Sequence, residues 1–123
     1  MVDLIQTERC ILARPVDGDR HAIYRLRTEP EVRRFLGGAN GDDQFESEFA
    51  KIVGAESDRY WAVRLRSDQT FVGLISMSAY HNEVDTEVSY EFLPEWWGRG
   101  LATESIGAVV DRVLEDSGVD RLV

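Results

Sequence analysis

The chain is poor in the residues that carry covalent or metal-borne chemistry. Cys10 is its single cysteine among 123 residues, which excludes an internal disulfide. With only two dispersed histidines, His21 and His81, no grouping has metal-ligand spacing, and no metal site is predicted. Basic side chains are outnumbered, 14 against 23 acidic, for a net charge of −9. That balance argues against nucleic acid or an anionic membrane as the main partner. It fits a cationic or amine substrate, and equally well a surface built for solubility. Long apolar runs are missing too. No fully apolar stretch, residues 71–75 included, exceeds five residues, too short for a transmembrane helix. The first eight residues lack the basic start and apolar stretch of a signal peptide, so the reading is cytoplasmic. There is no repeat or long low-complexity segment. What remains, 43% apolar and 30% charged residues, suits one globular domain over residues 1–123.

Residues 9–14 read as a strand ended by Pro15. Asp17 is placed to cap a helix whose apolar stripe is Ala22, Ile23 and Leu26. Pro30 opens a short helix with Val32, Phe35 and Leu36, and residues 37–41, Gly-Gly-Ala-Asn-Gly, break the chain. Asp42 or Asp43 caps a further helix with Phe45, Phe49, Ile52 and Val53 on one face. Asp43 followed by Glu46 resembles a capping box. The period then changes to two. Trp61, Val63 and Leu65 alternate with Tyr60, Ala62 and Arg64, and strands at 71–80 and 84–93 follow short polar turns. Such short connections make an antiparallel meander. Ile106, Val109, Val110, Val113 and Leu114 then mark a helix that Gly118 stops, and residues 119–123 look like the start of a strand. A strand, crossover helix and strand put that last strand parallel to the one ending at Leu93. The fold class is α/β and mixed, with a central antiparallel meander, a parallel β-α-β step and helices on both faces.

The densest information lies between Tyr90 and Glu104, in Tyr-Glu-Phe-Leu-Pro-Glu-Trp-Trp-Gly-Arg-Gly-Leu-Ala-Thr-Glu. A strand enters a two-glycine loop and a helix starts beyond it, an arrangement that offers free N–H groups to a phosphate. A dinucleotide fingerprint fails, because Thr103 stands where the third glycine belongs and the strand comes from a hairpin. Asp120 has ribose-ligand spacing but falls at the wrong end of its strand. A Walker loop fails as well, since no Gly-Lys-Ser/Thr follows.

At these residues the chain resembles the GCN5-related N-acetyltransferase superfamily. The branch it is most similar to contains the RimJ/RimL-type ribosomal-protein N-terminal acetyltransferases. The family signature is Gln/Arg-x-x-Gly-x-Gly/Ala, starting three residues after a strand-ending proline. Here Pro94 precedes Trp97-Gly98-Arg99-Gly100-Leu101-Ala102, so Gly100 and Ala102 match and Trp97 departs. Thr7-Glu8-Arg9, the run from Glu29 to Leu36, and Glu87-Val88-Ser89-Tyr90-Glu91-Phe92 also resemble that branch.

The resemblance implies an acyl-CoA N-acyltransferase-like fold and transfer of an acetyl group from acetyl-CoA, the cosubstrate, to a primary amine. The amine is a protein N-terminus or a small molecule. The implied pyrophosphate site is the backbone of Gly98, Arg99, Gly100, Leu101, Ala102 and Thr103, at the positive end of the helix dipole. Gly100 removes a Cβ from the path of approach. The pantetheine arm is implied to add to the strand edge at Tyr90, Glu91 and Phe92, with one N–H polarising the thioester carbonyl. Glu87 matches the family's strand-borne glutamate and is the candidate general base. Alternation groups Glu87 with Ser89 and Glu91. Holding the substrate ammonium, or merely facing solvent, are the alternative roles for Glu87. Trp96 and Trp97 either flank the cofactor or fill the core, and Cys10 reads as core packing.

The family continues past its fifth strand with a helix and a β-hairpin, which this sequence does not reach by Val123. The expectation is a C-terminally incomplete domain, shortened or completed by a partner chain. Residues 119–123 would then form an apolar edge open to homodimer pairing. A second function class stays open beside the enzyme: a catalytically inactive acyl-CoA-binding or interaction module.

Overall fold

The computed structural model describes residues 4–29, 42–54, 59–79 and 86–117. In chain order it contains β1 (Ile5–Gln6), β2 (Cys10–Ala13), α1 (Arg20–Thr28), α2 (Asp42–Gly54), β3 (Arg59–Leu65), β4 (Phe71–Ala79), β5 (Thr86–Phe92) and α3 (Leu101–Ser117). Short 3-10 turns at Asp17–Asp19 and Pro94–Trp96 lead into α1 and the glycine loop. The strands pair in the order β1-β2-β3-β4-β5, and every described pairing is antiparallel. The meander is as the sequence predicts, and helices cover both faces. Strand β1 is an addition: two residues carry too little pattern to be read, but Ile5 pairs with Leu12 and is buried. The expected helix at 30–36, the breaker at 37–41, the turn at 81–83 and the parallel strand at 119–123 lie outside the described residues.

Two cores result, one on each face of the sheet. Leu101 and Val109 of α3 pack over Cys10, Leu12, Trp61, Val63, Ile75 and Phe92. On the opposite face, Ile23 and Leu26 of α1 and Phe45, Phe49 and Ile52 of α2 pack over Leu74 and Leu93. Each such buried side chain contributes about 1.5–3 kcal/mol. Of the stripe read on α3, Val109 is buried and Ile106 packs beside it, while the side chains of Val113 and Leu114 lie outside the described residues; Leu101 and Ser105 are buried on the same side.

Helix α1 starts differently from the sequence reading. Asp17 sits inside the 3-10 turn and makes no side-chain cap. Asp19 stands at the N-cap position of α1 without a side-chain cap bond; its Oδ2 accepts the Val16 N–H at 2.9 Å and a hydrogen bond from the Arg64 guanidinium of β3. A tertiary ion pair with β3 thus distinguishes Asp19 from Asp17, which looks alike in the sequence. Glu46, read as half of a capping box, accepts a hydrogen bond from Arg20 of α1. The side chains of Asp42 and Asp43 lie outside the described residues.

Among the described residues the sheet carries one bulge, beside the end of β5. The β3–β4 register passes from Val63↔Gly73 to Arg64↔Phe71, leaving Val72 as the extra residue. Phe71 and Leu74 consequently face α1 and α2 while Val72 and Ile75 face α3, which explains the unbroken apolar run. Gly73 lies opposite Phe92, the last residue of β5. A Cβ at Gly73 would come within 2.7 Å of the Phe92 ring and 2.8 Å of the Glu91 carbonyl. Neither neighbour can yield cheaply, since one is core and the other backbone. Gly73→Ala is therefore expected to destabilise the protein by about 2 kcal/mol or more in urea unfolding. An unchanged midpoint would show that β5 does not depend on this close approach.

Candidate active site

Strand β5 leaves the sheet beside the bulge. The Leu93 N–H donates to the Val72 carbonyl at 3.0 Å, the last bond of the β4–β5 ladder. In a trans peptide the carbonyl points opposite to the N–H, so the Phe92 C=O is turned away from β4. Antiparallel alternation then turns the main-chain groups of Phe92 and Tyr90 outward and those of Glu91, opposite Leu74, towards β4. Of the three strand residues predicted to meet a cosubstrate through the backbone, Tyr90 and Phe92 face the edge of β5 that, among the described residues, pairs with no further strand. Glu91 does not, because its main chain is used by the sheet. Its side chain is also engaged: the carboxylate lies 2.5 Å from an Arg27 guanidinium nitrogen of α1, and both are largely buried.

The turn Pro94–Trp96 reverses the chain, with Trp96 N–H donating to the Leu93 carbonyl at 2.9 Å and Trp97 N–H to that of Pro94 at 3.1 Å. Gly98 and Gly100 follow at φ +75° and +79°, left-handed values that glycine adopts without strain. A Cβ on Gly100 would lie 3.3 Å from the Arg9 guanidinium. Backbone conformation therefore demands this glycine, independently of any ligand. Helix α3 begins at Leu101, and its first internal bond runs from the Glu104 N–H to the Gly100 carbonyl at 3.1 Å. Among the described residues, the N–H groups of 98–103 have no hydrogen-bond partner. The predicted phosphate-binding residues thus form one contiguous set of free donors at a helix N-terminus.

Sequence reasoning did not find what anchors this loop. Glu104 Oε2 accepts the Arg9 N–H at 2.9 Å and the Thr7 hydroxyl, while Oε1 accepts Arg9 Nε at 2.8 Å. The same guanidinium donates to the Arg99 carbonyl at 2.9 Å. Thr7-Glu8-Arg9 and Thr103-Glu104 belong to the same set of matching motifs, but nothing in the linear sequence says that they touch. Arg99 itself stacks over the Trp96 ring, 5.0 Å from its centroid. Trp96 packs against both cores, whereas Trp97 is 43% exposed and donates its indole N–H to the Phe92 carbonyl at 2.7 Å. Glu87 lies on β5 opposite Ser78, and its side chain falls outside the described residues. Cys10 is in the core, as predicted.

Burial alone would raise the Glu104 pKa, but the hydrogen bonds from Thr7 and Arg9 outweigh it and hold the carboxyl below the usual glutamate range. A carboxylate depressed in the folded state stabilises above its unfolded pKa. That stabilisation is lost as pH falls from about 5 through the folded value. Glu104→Gln is expected to lower stability at neutral pH by about 1–3 kcal/mol. The deficit should shrink on acidification, as read from unfolding midpoints at pH 7 and near pH 4. A deficit independent of pH would contradict the brace.

Residues 9–123 match the family described as the acetyltransferase (GNAT) domain. The chain is 27% identical over 128 residues to the uncharacterized N-acetyltransferase YoaA of Bacillus subtilis, covering 99% of this chain and 72% of that protein. Its fold matches a GNAT-family acetyltransferase from Bacillus anthracis with a TM-score of 0.84 at 21% identity, over 98% of this chain and 71% of the other. It also matches spermidine N-acetyltransferase from Vibrio cholerae, solved with CoA and spermine, with a TM-score of 0.74 at 18% identity over 89% and 66% of the two chains. With the family matched over nearly all of its length, and the free N–H groups of 98–103 set at the start of α3, the chain belongs to the GNAT acetyltransferase domain family.

Proposed function

We propose that the protein transfers an acetyl group from acetyl-CoA to a primary amine, in the manner of the RimJ/RimL-like branch and in the cytoplasm. The observation that carries this reading is the run of N–H groups at 98–103 without a partner among the described residues, presented by two left-handed glycines at a helix N-terminus. The protein has a net charge of −9, so a polyanion needs such directed donors in place of a general positive field. Glu104 lies in the same helical turn, but its charge is matched by Arg9 and does not oppose an anion. The outward N–H groups of Tyr90 and Phe92 are in place to hold an extended arm and to polarise a carbonyl. Acetyl-CoA supplies the activated acyl group; the protein supplies its placement and a proton acceptor.

The proton acceptor is Glu87, supported by its motif position on the strand that presents the edge. Glu91 cannot share that task while Arg27 holds its carboxylate. The acceptor amine is a protein N-terminus or a small amine, and the acidic surface favours a cationic substrate. Turnover with purified protein and a panel of amines separates this reading from an inactive acyl-CoA-binding module.

Two variants test the site. Replacing Gly100 would confuse binding with backbone strain, so Thr103→Glu is the better probe. Thr103 is exposed and helical, and an acidic side chain in the first turn favours the helix. CoA affinity is expected to fall about tenfold or more by calorimetry, with the melting temperature held or raised. Unchanged affinity would remove the loop from the site. Glu87→Gln keeps the shape and loses the proton acceptor. The maximal rate should fall by about 100-fold or more if Glu87 is the base. If it only binds the ammonium, the loss should appear in the amine's Michaelis constant. Wild-type kinetics would eliminate both roles.

A further inference from the structure

Trp97 stands where the signature has Gln or Arg, and its side chain closes a defined contact. We infer that Trp97 is a positioning residue that sets the spacing between the β5 edge and the glycine loop, by clamping the Phe92 carbonyl. The inference rests on the proposed binding of acetyl-CoA, because a ligand gripped at both places would register their separation.

Three observations carry it. The Phe92 carbonyl points to the open edge of β5, away from Val72 and β4, where it would accept from any extended ligand or strand. The Trp97 indole N–H occupies that carbonyl at 2.7 Å, so the usable edge ladder ends at the Phe92 N–H. Trp97 is also extended, at φ −68° and ψ 152°, and immediately precedes Gly98 at φ +75°. A clamp on its side chain therefore fixes the first residue of the loop against the last residue of the strand. Burial alone does not account for the tryptophan, because the residue is 43% exposed. A side-chain N–H donor is the property it shares with Gln and Arg. The departure from the signature thus keeps a side-chain donor while changing its shape.

The test compares CoA, which would engage loop and edge, with ADP, which carries the adenosine and pyrophosphate but neither the 3′-phosphate nor the pantetheine arm. Calorimetry on the wild type should give tighter binding of CoA than of ADP. Trp97→Phe keeps an aromatic ring and loses the donor. It should reduce the preference for CoA over ADP by about fivefold, the worth of one net hydrogen bond, with any loss of ADP affinity smaller than the loss of CoA affinity. Trp97→Gln loses the ring and restores a donor, and should return the preference to within about twofold of wild type. If Trp97→Phe does not fold, benzothienylalanine at position 97 replaces the N–H by sulfur in an isosteric ring and is read in the same way. A Phe or benzothienyl variant with the wild-type preference overturns the inference, as does a Gln variant no better than Phe. Either result, obtained with ADP and CoA both bound, leaves the proposed function standing. Wild-type protein with no affinity for either ligand overturns the function and the inference together.

Discussion

The carboxylate of Glu104 is the point on which the site depends. It joins the first turn of α3 to the turn between β1 and β2, nearly a hundred residues earlier in the chain, through Arg9 and Thr7. Without it the glycine loop would be secured by the backbone of one short 3-10 turn and by the Trp97 indole. With it, the loop is held on both sides: Arg9 reaches on to the Arg99 carbonyl while Trp97 reaches back to Phe92. A set of free N–H groups is useful to an anion only if their positions are settled before it arrives, because ordering a loop on binding costs affinity.

The sheet supplies the other fixed reference. The extra residue at Val72 lets β4 bury side chains on both faces, and Gly73 allows the Phe92 ring to lie against its backbone. Together they determine where β5 ends and which way its last peptide faces. The outward turn of the Phe92 and Tyr90 main chain follows from this ladder. So does the engagement of Glu91 by β4 at its backbone and by Arg27 at its side chain. Neighbouring residues on one strand thereby acquire opposite tasks, one presented to a ligand and one structural.

Charge is managed locally. The protein is strongly acidic, yet Arg9, Arg25 and Arg27 are each committed to carboxylates around the loop and the strand end. These pairs remove negative potential near the free N–H groups without placing an unmatched cation there. The Arg25–Glu95 pair is partly exposed and worth little in stability. It does connect α1 to the turn before the glycines.

The sequence by itself determined the class of fold, the antiparallel meander, the glycine loop at the start of a helix and the family resemblance. These are local properties: period-two and period-3.6 patterns, turn residues and a motif of contiguous positions. It also indicated the residues 98–103 that carry free donors, because a helix start leaves its N–H groups unpaired wherever it occurs. The tertiary structure alone decided which aspartate stands at the start of α1 in an ion pair, since Arg64 reaches Asp19 from β3. It alone joined Glu104 to Thr7 and Arg9, released Tyr90 and Phe92 to the edge while enlisting Glu91, and gave Trp97 a carbonyl to hold. Each of these depends on groups brought together by strand register and helix packing. Sequence patterns report the face a residue occupies, but not which partner waits on the other side of it.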